Sequence, residues 1–257
     1  MPDHSTWFHF LPFYTSLLES AREKLGLSWY KGEQIEIAHV LGYAFVVLLI
    51  IFMAAFALRK YRQSVDEALI PEKKFTLANF FEMFTEMIIG LMEPMMGRTA
   101  ALYFLPLIGT VGIVILFSNL IGLVPGFAPP TSTWNTTVAM AVVIFFATHI
   151  YGVKKHGIAY FKHFLGPVIK WYALPLMLIM LVIEIIGHLA RPLSLSVRLM
   201  GNMFADHLVV ATFAILVPLF LPLPVMLLGV LVCVVQTLVF CLLSIIYISL
   251  AIEEGEH

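Results

Sequence analysis

A guanidinium in the middle of an apolar run is the group in this chain whose chemistry most needs explaining. Arg198 lies within Arg191-Pro192-Leu193-Ser194-Leu195-Ser196-Val197-Arg198-Leu199-Met200-Gly201-Asn202-Met203-Phe204-Ala205-Asp206-His207. Its side chain stays protonated at any ordinary pH, so it cannot enter hydrocarbon by losing its charge. At the centre of a membrane helix such a charge costs roughly 3 kcal/mol on insertion scales. A fixed charge there suits an ion path, where it holds a neighbouring carboxylate ionised without relaying protons itself. The plainer use is an arginine that snorkels to the interface or is paired in a polar core.

The neighbouring residues favour the ion path. On a helix advancing about 100° per residue, with Arg198 at zero, Arg191 falls at about +20°, Glu184 at about +40° and His188 at about +80°. Asn202 falls near about +40° and Asp206 near about +80°, while His207 projects to the far side. Six polar or ionisable side chains thus share under half the circumference. Charged residues inside membranes face protein or water, so this stripe is expected to line a hydrated interface. The structural alternative is a chain of satisfied pairs, such as Glu184 with Arg191 or Asp206 with Arg198. In the last apolar segment Gln236 and Tyr247 share a face, with Thr237, Ser244 and Ser249 nearby. Gln236 is placed to meet the stripe across a helix pair, either as an interhelical hydrogen bond or as a partner that holds the guanidinium.

The elements that position these groups are membrane helices. Of 257 residues, 61% are hydrophobic and 12% charged; soluble domains carry about 25% charged residues, so the composition is that of an all-α polytopic membrane protein. Spans of ~20 apolar residues are expected at about 37–58, 101–124, 136–153, 168–216 and 225–252. Residues 1–36 form an N-terminal segment, and 37–257 the membrane domain. Pro218, Pro222 and Pro224 favour a turn between the last two spans. The fourth, at ~49 residues, is too long for one perpendicular crossing and must tilt, break or lie partly along the membrane. Between the first two spans, about 79–93 reads as an amphipathic helix on the interface. Glu82 and Glu86 share one face of it, and Pro94 and Gly97 end it.

Basic residues set the orientation. Arg59, Lys60, Arg62, Lys73 and Lys74 cluster after the first span, and Lys154, Lys155, Lys162 and Lys170 after the third. The connections at 125–135 and 217–224 hold neither Lys nor Arg. The positive-inside rule therefore predicts a periplasmic N-terminus and a cytoplasmic C-terminus. The start of the chain has no basic region followed by a short apolar core, so no cleavable signal peptide is expected.

Other chemistry finds little support. The net charge of −1 gives no argument for nucleic acid. Nine histidines and two cysteines show no metal-ligand spacing, so neither a metal nor a cofactor is expected. Cys233 and Cys241 lie ~12 Å apart along one helix, too far for a disulfide. No phosphate-binding loop or dinucleotide turn occurs. No nucleophile–base pair supports an intramembrane enzyme. A self-contained proton-coupled secondary transporter is the alternative reading, but the repeat symmetry usual in such proteins is not evident.

The run Ser194-Leu195-Ser196-Val197-Arg198-Leu199-Met200-Gly201-Asn202-Met203-Phe204-Ala205-Asp206-His207-Leu208 closely resembles the signature of subunit a of rotary F-type ATP synthases. Val235-Gln236-Thr237-Leu238-Val239-Phe240 and Ile246-Tyr247-Ile248-Ser249 resemble the same family's last helix. So do Asn119-Leu120-Ile121-Gly122-Leu123-Val124-Pro125 and Pro222-Leu223-Pro224-Val225-Met226. The resemblance covers nearly the whole chain after residue 36. It implies a stator subunit beside a ring of c subunits, each carrying a membrane carboxylate. The last two helices would form a long, tilted hairpin along that ring. It implies too a bacterial inner-membrane ATP synthase complex with b-type peripheral-stalk subunits, bathed in lipid, in which this chain itself performs no catalytic chemistry. Arg198 matches the essential arginine between two offset half-channels, Asn202 and Gln236 match polar neighbours, and Glu184 matches an acidic residue of ion access with His188 one turn away. The chain departs from the pattern at His207, where many members have Glu. Asp206 precedes it, and the partner position on the last helix is Gly229.

Overall fold

The computed structural model describes residues 12–25, 37–61, 76–124, 126–157, 160, 174–216, 220 and 222–253. Much of the two basic connections, Pro218 and the expected start of the fourth span at 168–173 lie outside them. Helices α1 (Tyr14–Leu25), α2 (Ala38–Tyr61), α3 (Leu77–Gly122), α4 (Trp134–His156), α5 (Leu174–Leu216) and α6 (Pro222–Glu253) account for nearly all of the described chain. One 3₁₀ turn, Pro130–Ser132, precedes α4. α2 to α6 are each long and apolar enough to cross a membrane, which gives the five spans and the all-helical polytopic class that the composition requires. The short α1 was not resolved within the N-terminal segment by the sequence, because its pattern is too brief to stand out.

Two boundaries differ from the sequence expectation, each for a local reason. The amphipathic stretch and the second span are two arms of α3, with no loop between 93 and 101. Thr76 caps the first arm by accepting from the Asn79 N–H, and Gly97, at φ 75° and ψ 160°, breaks the helix. Only glycine takes that conformation readily, so the punctuation read at Gly97 is a kink between arms. The Ser249 hydroxyl donates to the Met95 carbonyl at 2.6 Å, which provides for a backbone group in the turn where the ladder fails. α5 runs unbroken through Pro192 for 43 residues. α6 begins at Pro222, because prolines in a first turn lack only N–H groups that would have no helical partner.

The chain divides into two compact units. One comprises Met1–Glu82, Ile113–Thr133 and Asn202–Val235. Within it Val46, Ile115, Met203 and Cys233 are buried, Phe45 stacks on Phe127 at 5.8 Å, and Phe80 meets Phe117 edge-on at 6.0 Å. The buried Thr131 hydroxyl donates to the Asn119 side-chain oxygen at 2.6 Å, tying the 3₁₀ turn to α3. The other unit comprises Met83–Gly112, Trp134–Gly201 and Gln236–His257. Its core gathers Ile88, Met92, Phe104, Ile108, Ile144, Leu199, Phe240, Ile245 and Ile248. His156 donates from Nε2 to the Ile252 carbonyl at 2.9 Å, closing the last turn of α6.

Candidate ion-path site

The polar stripe of α5 is contained in one continuous helix, so its register is as the sequence requires. Arg198 and Asn202 are exposed on it; Glu184, Arg191, Asp206 and His207 are half-buried. His188 is buried at 6% exposure and Gln236 on α6 at 4%. Among the described residues no carboxylate is paired with Arg198. An arginine left open in this way on a membrane-crossing helix needs water or a carboxylate to meet it.

Two titratable clusters flank this residue in the sequence, one in each unit. In the unit holding Arg198, Glu184 Oε1 lies 3.7 Å from His188 Nε2, one turn along α5. The pair that forms is therefore Glu184 with His188, not Glu184 with Arg191. The His188 ring meets the His149 ring of α4 edge-on, with centroids 5.1 Å apart. Arg191 places its guanidinium carbon 5.4 Å from the centre of the Tyr247 ring on α6, a cation–π approach. A cavity of about 20 Å³ is lined by His149, His188, Arg191, Tyr247 and Thr148 among others, which is room for about one water.

The second cluster belongs to the other unit. Asp206 Oδ2 is buried and has no hydrogen-bond partner within the described protein. It faces Gly229 of α6, where an added Cβ would come within 3.3 Å of that oxygen and 2.7 Å of Leu123 Cδ2. Gly229 thus leaves the space that the carboxylate fills. A buried, unsatisfied carboxylate oxygen costs free energy unless water or a proton meets it.

Tyr247, which shares a face of α6 with Gln236, meets the stripe through Arg191. Ser244 and Ser249 serve the backbone, donating to the Phe240 and Met95 carbonyls. His149 was missed by sequence reasoning, although a lone histidine in a span is itself a signal. Among the described residues no set of three His, Cys, Asp or Glu converges to hold a metal.

The sequence profile of the family described as ATP synthase A chain matches residues 41–249, most of the chain. The chain belongs to this family. Similar relatives agree. ATP synthase subunit a 2 of Syntrophotalea carbinolica is 55% identical over 179 residues, covering 70% of this chain and 74% of that one. Subunit a of Geobacter sulfurreducens is 44% identical over 218 residues, 85% of this chain and 89% of its own. Subunit a of Sorangium cellulosum is 40% identical over an alignment of 264 positions that covers both chains entirely. As a member of this family the chain is a multi-pass membrane protein of the ATP synthase complex.

Proposed function

We propose that this chain is the stator that carries protons to and from a c-subunit ring through two offset half-channels, with Arg198 as the charge between them. The observation that supports this best is that Arg198 is exposed on a membrane-crossing helix and, among the described residues, is paired with no carboxylate. A ring carboxylate passing it is held ionised, and so can release its proton to one channel and take another from the opposite side. Arg198 cannot relay the proton, so it blocks a direct leak. Each proton falling through 100 mV supplies ~2.3 kcal/mol, collected only if the ring turns.

The two clusters supply one half-channel each: Glu184 and His188 on one side, Asp206 with His207 beside it on the other. Asn202, four residues beyond Arg198 on α5, and the buried Gln236 on α6 hold the polar environment around the guanidinium. Basic residues near the C-terminal ends of α2 and α4 support a cytoplasmic C-terminus and a periplasmic N-terminus in a bacterial inner membrane. On that orientation the Glu184 cluster opens to the cytoplasm, since His149 stands one to two turns before Lys154 and Lys155 on α4. The b-type stalk subunits would hold the chain still against the ring.

Replacing Arg198 tests the reading. Arg198→Ala should reduce ion-driven ATP synthesis and ATP-driven acidification of sealed vesicles to background while the complex still assembles. Arg198→Lys should recover little, because it offers a point charge without the planar fork. Wild-type pumping by the alanine variant would overturn the assignment.

A further inference from the structure

The structure carries an additional imidazole into the Glu184 cluster from a different helix. His149 is on α4, while Glu184, His188 and Arg191 are on α5 and Tyr247 is on α6. Its Nδ1 lies 2.8 Å from the Phe145 carbonyl oxygen one turn back. A carbonyl oxygen only accepts, so Nδ1 carries the hydrogen and the neutral ring keeps its lone pair on Nε2. The ring is fixed further by Phe145, 4.1 Å away between centroids, and by Tyr160 at 6.1 Å. A lone structural histidine needs no more than this. Here the ring also lines the cavity of about 20 Å³ whose wall includes His188, Arg191 and Tyr247. The two imidazole rings meet edge-on across it, with centroids 5.1 Å apart. His188 in turn stands 3.7 Å from Glu184.

We propose that His149 is a proton-holding residue of the Glu184-side path, taking a proton at Nε2 through the water-sized cavity shared with His188 and returning it from the same nitrogen. The inference rests on the ion-path reading given above. Because Nδ1 stays committed to Phe145, the ring does not pass a proton from one face to the other. It stores one beside His188 and gives it back, with no net change. The groups around it are His188, Glu184 and Arg191 from α5, Tyr247 from α6, and Tyr160 beyond α4. Imidazole is suited to such storage, since the neutral ring keeps one nitrogen lone pair free to take a proton while the other nitrogen donates. A second store next to His188 raises the chance that a proton is present when the path empties.

The test uses vesicles holding the whole complex. His149→Gln keeps an amide N–H able to reach the Phe145 carbonyl, and a similar volume, but cannot store a proton. It should assemble normally, hydrolyse ATP, and acidify vesicles several-fold more slowly than wild type. His149→Ala should be slow as well, and added imidazole should restore its rate relative to wild type at the same imidazole concentration. Thiazole, a five-membered ring of similar size but far lower basicity, should not. Wild-type acidification by His149→Gln, or an assembled His149→Ala that imidazole leaves unchanged, would overturn the inference. Arg198→Ala measured in parallel separates the two claims. If it is inactive while His149→Gln pumps normally, only the role of His149 fails; if it pumps normally, the ion-path reading itself fails.

Discussion

Asp206 and His207 are adjacent, and either could serve the second of the proposed half-channels by chemistry alone. Geometry separates them. The Asp206 carboxylate is aimed at the space beside Gly229, and its Oδ2 is buried without a hydrogen-bond partner in the described protein. Asp206→Asn keeps the shape and removes the ionisable group, so it should lower proton pumping by at least ~10-fold, the low end for losing a positioned proton carrier being larger still. It should also change the shape of the pH–rate curve. His207→Gln should do less. Gly229→Ala offers a companion check, because the added methyl would press on Leu123 and crowd the carboxylate. Equal, unaltered pH–rate curves for Asp206→Asn and His207→Gln in sealed vesicles would mean that neither titrates on the path. At this scale the stripe on α5 was legible because one helix register fixes six side chains at once. His149 was not, since nothing in a linear sequence says that a single histidine on α4 lies against the stripe.

Between helices the packing is set by small residues at points of close approach. Gly112 of α3 has Cys241 of α6 against it, such that a Cβ would fall 2.7 Å from Sγ and 3.2 Å from Phe84 Cζ. Gly112→Ala should therefore destabilise this contact by ~1–3 kcal/mol, the usual range for overpacking. The measure is a smaller yield of detergent-stable subunit. Cys241→Ala removes the clashing sulfur, so the double variant should recover much of that loss; additive losses would deny the contact. A second check concerns the hairpin of α5 and α6. Arg198→Cys with Gln236→Cys should crosslink with a short reagent in the assembled complex, with positive controls elsewhere along the two helices, and no crosslink would count against the packing around Arg198. Helix number and approximate limits could be read from hydropathy because each span must satisfy its own backbone in lipid. The fusion at Gly97 could not, since a break and a kink share the same Pro and Gly signals. Pro222 and Pro224 misled for a related reason: proline ends a helix in its interior but is welcome in its first turn.

At the scale of the whole chain, the helix carrying Arg198 is poorly covered by the described residues. Only 11% of the membrane-crossing window of α5 is buried within the chain, against 44% for α3. Its 43 residues extend ~64 Å along a straight axis, about twice the ~30 Å hydrocarbon thickness. A helix this long and this bare is suited to a large external surface, and its one open guanidinium is suited to a carboxylate on that surface. The sequence could disclose the excess length, but not the bareness, which depends on where the other helices pack. A self-contained transporter would complete its polar path internally; among the described residues no carboxylate pairs with Arg198. The purified chain alone, reconstituted into liposomes under a potassium diffusion potential, should therefore conduct no more protons than empty liposomes. Co-reconstitution with the membrane partners of its complex should establish conduction, and Arg198→Ala in that mixture should uncouple conduction from rotation or abolish it. Proton uptake by the lone chain, saturable and lost in Arg198→Ala, would instead mean that the path is complete within one subunit and that no ring is needed to close it.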